Sequence, residues 1–97
     1  MLTALVGGCQ SEWSPEAERF TQTYAEILVA RELYPDTAQG NRQVRELLRQ
    51  HGYSSEQEFR EAFLRFAQDP ELIRRIFDSA LARSQRMLAD SLRQRPQ

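Results

Sequence analysis

Three kinds of side chain in this sequence have the type and spacing to support chemistry or recognition: a lone thiol, a lone imidazole and arginines on helical faces. Cys9 is the only cysteine, which excludes an intrachain disulfide and a thiolate-built metal site. His51 is the only histidine and has no second His or Cys near it, so it does not anchor a usual zinc site. Standing directly before Gly52, it reads as a helix terminator, with a ring near the last carbonyls and a glycine where a left-handed residue is wanted. Catalysis by His51 would need a carboxylate from another helix, and the sequence does not identify one. Gly-rich phosphate loops, nucleophile elbows and metal-binding helix motifs are missing. The sequence therefore reads as a non-enzyme with neither cofactor nor metal.

The arginines pose a different question. Arg31 falls in helical phase with Phe20, Tyr24, Ile27 and Leu28, inside an apolar stripe. One reading lays its stem over apolar surface and aims the guanidinium at the last helical carbonyls or at Asp36. The other makes it an anchor in a partner groove at the exposed edge of the core. Arg75, Arg86 and Arg93 are separated by eleven and seven residues, which returns them to within about 20° of one another on a helix. A solvated face accounts for such a line. Asp90 and an acidic first helix weaken any continuous basic surface; as a binding face, the line suits anionic lipid headgroups if Cys9 is lipidated, and nucleic acid less.

Cys9 is preceded by Val6-Gly7-Gly8 and by an apolar lead, Met1 to Leu5. This stretch is far shorter than the ~20 residues that span a bilayer. It resembles the lipobox of bacterial lipoproteins, in which the signal is cut before the cysteine and the thiol is acylated. A complete signal also carries a basic segment and a longer apolar segment ahead of the lipobox, and these are expected upstream of Met1. The bland alternative is a short apolar lead packed on the body with a buried thiol. On the first reading Cys9 opens the mature protein, and Gln10 rather than Asp beside it favours onward transport to an outer membrane.

Ninety-seven residues make one domain. The division expected is 1–13 as a truncated lipoprotein signal and tether, and 14–97 as a single helical domain. A unit that size sits near the lower limit for one core, so sharing apolar surface with a partner, including a second copy, is an open possibility. All thirteen basic residues are arginine, a feature assigned here to base composition, and the net charge of -1 steers no ligand. The charge is unevenly placed, however. Residues 10–41 hold six acids against two arginines, and residues 72–97 hold six arginines against two acids, so the first and last helices are expected to attract each other.

The elements that must position these residues are all helical. Ser14-Pro15-Glu16 starts a helix of about 20 residues that ends before Pro35, with Ala17, Phe20, Tyr24, Ile27 and Leu28 inward. A second begins near Thr37 or at Asn41, turns Val44, Leu47 and Leu48 inward, and ends at His51-Gly52. Ser55 and Glu58 form a capping box for a third. Its Phe59, Phe63 and Phe66 are expected at the centre of the core, with Glu56–Arg60 and Glu61–Arg65 pairs outside. Asp69-Pro70 then starts the longest helix, with Ile73, Ile76, Phe77, Ala80, Leu81, Met87 and Leu88 inward and Ser84 as an interruption. The fold class expected is all-α, a compact bundle of about four helices with a long C-terminal helix.

From Tyr24 to about Ser84 the chain resembles a family of short, lipobox-bearing bacterial proteins known only as a domain of unknown function. The resemblance is carried by Ile27-Leu28, by Leu47-Leu48 leading to His51-Gly52-Tyr53, by Phe59, Phe63 and Phe66, and by Asp69-Pro70 with Ile76-Phe77-Asp78. It implies an exported, acylated helical protein and transfers no activity. The function expected is a membrane-tethered module on the periplasmic side of a bacterial envelope, anchored through an acyl chain on Cys9 and acting by contact with an unidentified envelope protein. The alternative is a cytoplasmic adaptor or nucleic-acid-associated bundle using the arginine-lined face.

Overall fold

Ser14 begins the first helix as its position predicts, its hydroxyl accepting a hydrogen bond from the Ala17 amide at 3.0 Å. In the computed structural model, which describes residues 13–93, four helices follow: α1 (Pro15–Leu33), α2 (Thr37–Gln50), α3 (Glu56–Phe66) and α4 (Pro70–Arg93). The protein is all-α, and α4, at 24 residues, is its longest element.

Short polar side chains set the remaining starts. Asp36 caps α2, its carboxylate accepting from the Ala38 and Gln39 amides, so the helix begins at Thr37 and contains Gly40. Ser55 caps α3 through the Glu58 amide. Glu58 reaches back one residue further than a capping box requires, to the amide and hydroxyl of Ser54, both at 2.6 Å. These two donors hold the Glu58 carboxyl below its ordinary range. Asp69 turns the corner into α4 by accepting from the Glu71 and Leu72 amides.

α2 ends as its sequence indicates. His51 is the C-cap, and Gly52 takes φ of 88°, a conformation that costs a residue with a Cβ atom about 1 kcal/mol or more. The space beside Gly52 is filled by Arg19 of α1. Its guanidinium donates to the His51 carbonyl at 3.2 Å and lies over the Tyr53 ring at 4.3 Å from the centroid. A cation thus meets the negative end of the α2 dipole and ties it to α1.

α1 packs against all three other helices, most extensively against α4. A helix contacted on several sides has no single inward stripe, and this corrects the expected pattern. Ala17 and Phe20 are buried as expected, but Tyr24, Ile27 and Leu28 are only half-buried, whereas Thr21, Thr23, Ala25 and Ala30 are fully enclosed. The threonine hydroxyls satisfy themselves within the helix, donating to the carbonyls of Ala17 and Arg19 at 2.7 Å.

Two further expectations about the core are corrected. Its centre is Phe20 with Ile76, not the phenylalanines of α3: Phe66 is buried, while Phe59 and Phe63 remain half-exposed around Phe20. Phe20 stacks on Phe59 at 4.6 Å and meets Phe66 at 5.2 Å between centroids. On α4 the buried line is Ile76, Ala80 and Ser84, each one turn apart. Ser84 therefore belongs to the seam, its hydroxyl donating to the Leu81 carbonyl at 2.8 Å, and small side chains there let α4 lie close to α1. Phe77 and Leu81, expected inward, are 38% and 52% exposed.

Charge asymmetry between the first and last helices resolves into one clamp, in which Arg83 of α4 engages Glu18 and Gln22 of α1. The expected Glu56–Arg60 and Glu61–Arg65 pairs do not form. Arg65 instead reaches Glu16 on α1 at 2.9 Å, and Arg60 hydrogen-bonds the Gln57 amide oxygen at 3.4 Å. Same-helix pairs are worth only a few tenths of a kcal/mol, too little to keep Arg65 from Glu16.

Candidate functional site

The residues displaced from the expected core line a groove of 440 Å³ between the helices. One wall is α1, which contributes Phe20, Tyr24, Ile27 and Arg31, all on one face by their spacing. Opposite stands α3 with Glu56, Phe59, Arg60 and Phe63. Val44 and Leu48 of α2 and Phe77 of α4 complete the lining. The rings are held by one another: Phe77 meets Tyr24 at 5.6 Å and Phe63 at 6.0 Å, and Tyr53 stands edge-on to Phe59 at 5.1 Å. Such contacts fix ring orientation while leaving apolar faces open. Leu81, one turn beyond Phe77 on α4, extends the exposed apolar surface along the helix.

At the rim of this groove sit two cations. Arg31 donates to the side-chain oxygen of Asn41 on α2 at 3.0 Å, neither to Asp36 nor to the last carbonyls of α1. Asp36 caps α2 through one carboxylate oxygen, which accepts from the Ala38 and Gln39 amides. Arg31 is exposed at the core's edge and lines the apolar groove. Arg60 is the other rim cation.

A larger hollow of 660 Å³ lies outside α2 and the start of α3, where Arg42, Arg45, Glu46, Arg49 and Glu56 surround Leu48 and Tyr53. Glu46 is held below its ordinary carboxylate range by its hydrogen bond from Arg49. Five of the hollow's nine lining residues are charged, against three of eleven in the aromatic groove, so the aromatic groove is the stronger candidate for recognition.

The arginine line on α4 is not three equivalent contacts. Arg75 lies 5.4 Å from the centre of the Trp13 ring, Arg93 pairs with Asp90, and Arg86 is exposed between them. Trp13 is itself packed on the body, its indole donating to Glu18 at 2.9 Å. Cys9 and the lipobox residues Val6, Gly7 and Gly8 lie outside the described residues.

His51 acquires the carboxylate that sequence reasoning left unnamed: its Nε2 lies 2.9 Å from Glu26 Oε1 on α1. The pair joins the end of α2 to the middle of α1, and His51 does not line the aromatic groove. Among the described residues, no group of three or more His, Cys, Asp and Glu is placed to hold a metal, and no helix is long and apolar enough to cross a membrane.

The chain matches no family model, no curated protein and no solved structure. Its site is therefore read from its own geometry.

Several residues of that site were missed by sequence reasoning. Phe77 and Leu81 follow the apolar period of α4, and a period does not distinguish a side chain facing the core from one facing a groove. Arg60 was absorbed into a same-helix pair. A usable signal was present in surplus: α4 offers more large apolar residues than an 81-residue body packed on small side chains can enclose.

Proposed function

We propose that this protein is a small helical docking module of the bacterial envelope, tethered to a membrane through an acyl chain on Cys9 and acting by contact rather than by catalysis. The observation that carries the docking half is the aromatic groove. Phe59, Phe63 and Phe77 are held by ring contacts yet keep exposed faces, beside Leu81. Leaving them uncovered forgoes about 25 cal/mol for each Å² of apolar surface, a standing cost that a bound partner removes.

The tether half rests on Val6-Gly7-Gly8-Cys9, on the apolar lead before it, and on the resemblance of residues 24–84 to short lipobox-bearing proteins. The packing of Trp13 against Glu18 and Arg75 supports a short connection, because it anchors the body four residues after Cys9. The alternative of a nucleic-acid contact along α4 draws less support, since Arg75 faces Trp13 and Arg93 is paired with Asp90.

Two measurements test the halves separately. Metabolic labelling with a lipid precursor, using the full reading frame, is expected to label the wild type and not Cys9→Ser; an unlabelled, freely soluble wild type removes the tether. A photo-cross-linking residue at position 77 is expected to capture a partner in cells, while the same group at position 86 does not. That capture should disappear in Leu81→Asp. Equal cross-linking from both positions removes the groove as the docking surface.

A further inference from the structure

We infer that the occupant of the aromatic groove is an acidic amphipathic helix of a partner protein, seated with its apolar face on α1 and α3 and with a carboxylate reaching Arg31 and Arg60. This rests on the docking reading and specifies the chemistry of what docks.

Length argues for a helix. Above a floor formed by buried Phe20, the open part of the α1 wall runs from Tyr24 to Arg31, a rise of about 10 Å or two helical turns at ~1.5 Å per residue. A partner helix laid along it presents side chains at spacings of three and four to a surface built on the same spacing. The lining between the two arginines is aromatic and aliphatic, which sets the occupant's buried face as apolar.

Charge argues for acid. Each guanidinium carries five N–H donors. Arg31 uses one on Asn41 and Arg60 uses one on Gln57, both neutral amide oxygens. Among the described residues no carboxylate lies within 4.0 Å of either, although Arg49, Arg65, Arg83 and Arg93 all reach one. Glu56, one turn before Arg60 at the same rim, is the groove's single acid, and it leaves the lining with a net positive charge. A carboxylate arriving on an apolar helix completes both arginines in a site that its own binding dries, where charge-assisted bonds gain strength.

The same charge argues against a second copy. Among the described residues, the helix with the most exposed large apolar side chains is α4, with Phe77, Leu81 and Leu92, against Leu33 on α1 and Leu64 on α3. α4 carries Arg74, Arg75, Arg83, Arg86 and Arg93 against Glu71, Asp78 and Asp90. Placing it in the groove sets arginine against arginine, a like-charge contact that opposes association.

The test uses the full chain and a display library of helical peptides about 14 residues long. Selection is expected to enrich apolar residues at spacings of three and four together with Asp or Glu on one flank. By fluorescence anisotropy, a selected peptide should bind the Arg31→Glu/Arg60→Glu protein roughly tenfold or more weakly, with recovery when the peptide's acids are replaced by arginine. Both substitutions are at exposed positions, and circular dichroism verifies the fold of the variant. Enrichment without acids, or affinity unchanged in the double variant, overturns the inference and leaves docking standing. Failure to enrich any peptide over the Leu81→Asp control overturns both. Stoichiometric palmitate binding that peptides do not displace assigns the groove to a lipid, and self-association through position 77 assigns it to a second copy; either overturns the inference.

Discussion

Arg83 on α4 grips Glu18 on α1 with both arms of its guanidinium, Nη1 to Oε2 and Nη2 to Oε1, each at 2.9 Å. The first arm also reaches Gln22 at 3.0 Å. This is the clearest contact between the acidic first helix and the basic last one. The Arg83 bonds, with help from the Trp13 indole, pull the Glu18 carboxyl from 4.5 to about 2. A carboxyl lowered on folding contributes stability that is fully present above its unfolded value and is lost as pH falls through the folded one. The window here runs from about 4.5 down to about 2. Because the Glu18 side chain is half-exposed, solvent screening limits the contribution to about 1 kcal/mol. Urea melts at pH 5 and pH 2.5 should show a larger acid loss for the wild type than for Glu18→Gln, by about that amount. Equal losses would contradict the clamp.

Gly40 is expected to resist replacement despite lying in a helix. An added Cβ would sit 2.8 Å from the Tyr34 carbonyl oxygen and 3.2 Å from Arg31 Nη1. The first obstacle is backbone and cannot swing aside. An unobstructed Gly→Ala change inside a helix gains about 1 kcal/mol. Here Gly40→Ala is expected to lose about 1–2 kcal/mol, a fall in Tm of roughly 5–10 °C. A rise in Tm would show that α2 can move away from the end of α1.

The α1–α4 seam sets a third expectation. Ala80 is fully buried, and its neighbours along the seam, Ile76 and Ser84, are buried with it. Ala80→Leu adds three heavy atoms where no space is left and should cost about 1–3 kcal/mol. Thr21→Val at the facing helix keeps the shape and loses a bond to a carbonyl already engaged in its helix, so it should cost less than about 1 kcal/mol. Denaturant unfolding of the two variants separates them. A mild Ala80→Leu would mean that the helices are not closely apposed.

Helix number and most helix ends were legible because their causes are local. Ser14, Ser55, Asp69, Gly52 and the prolines act on residues within one turn of themselves. The start of α2 was ambiguous for a tertiary reason: Gly40 looks like a breaker, and only the approach of the Tyr34 carbonyl explains it inside the helix. Side-chain partners across helices were not legible either. Nothing within a turn of Arg65 indicates Glu16, and nothing near His51 indicates Glu26. The groove belongs to this second class. Its aromatic residues were all noticed, but periodicity assigned them to the core, and the space between α1 and α3 exists only once Phe20 and Ile76 have taken the centre.

Two aromatic substitutions distinguish the core from the groove. Phe20 is 1% exposed and touches Tyr24, Phe59 and Phe66, so Phe20→Ala removes a packed ring and leaves a cavity. A loss of about 3–5 kcal/mol is expected, a large share of the roughly 5–15 kcal/mol that holds a small domain folded. Phe77 is 38% exposed and rests on Tyr24 and Phe63 from one side. Phe77→Ala leaves an open dent that water fills, at a cost of about 1 kcal/mol. If the groove docks a partner, the order reverses in a binding measurement made on folded protein, because truncating an aromatic anchor in an interface commonly costs about 2 kcal/mol or more. Phe77→Ala should therefore melt within a few degrees of the wild type and still lose its cross-linked partner. A Phe77→Ala protein as unstable as Phe20→Ala would place Phe77 in the core and leave the groove without its α4 wall.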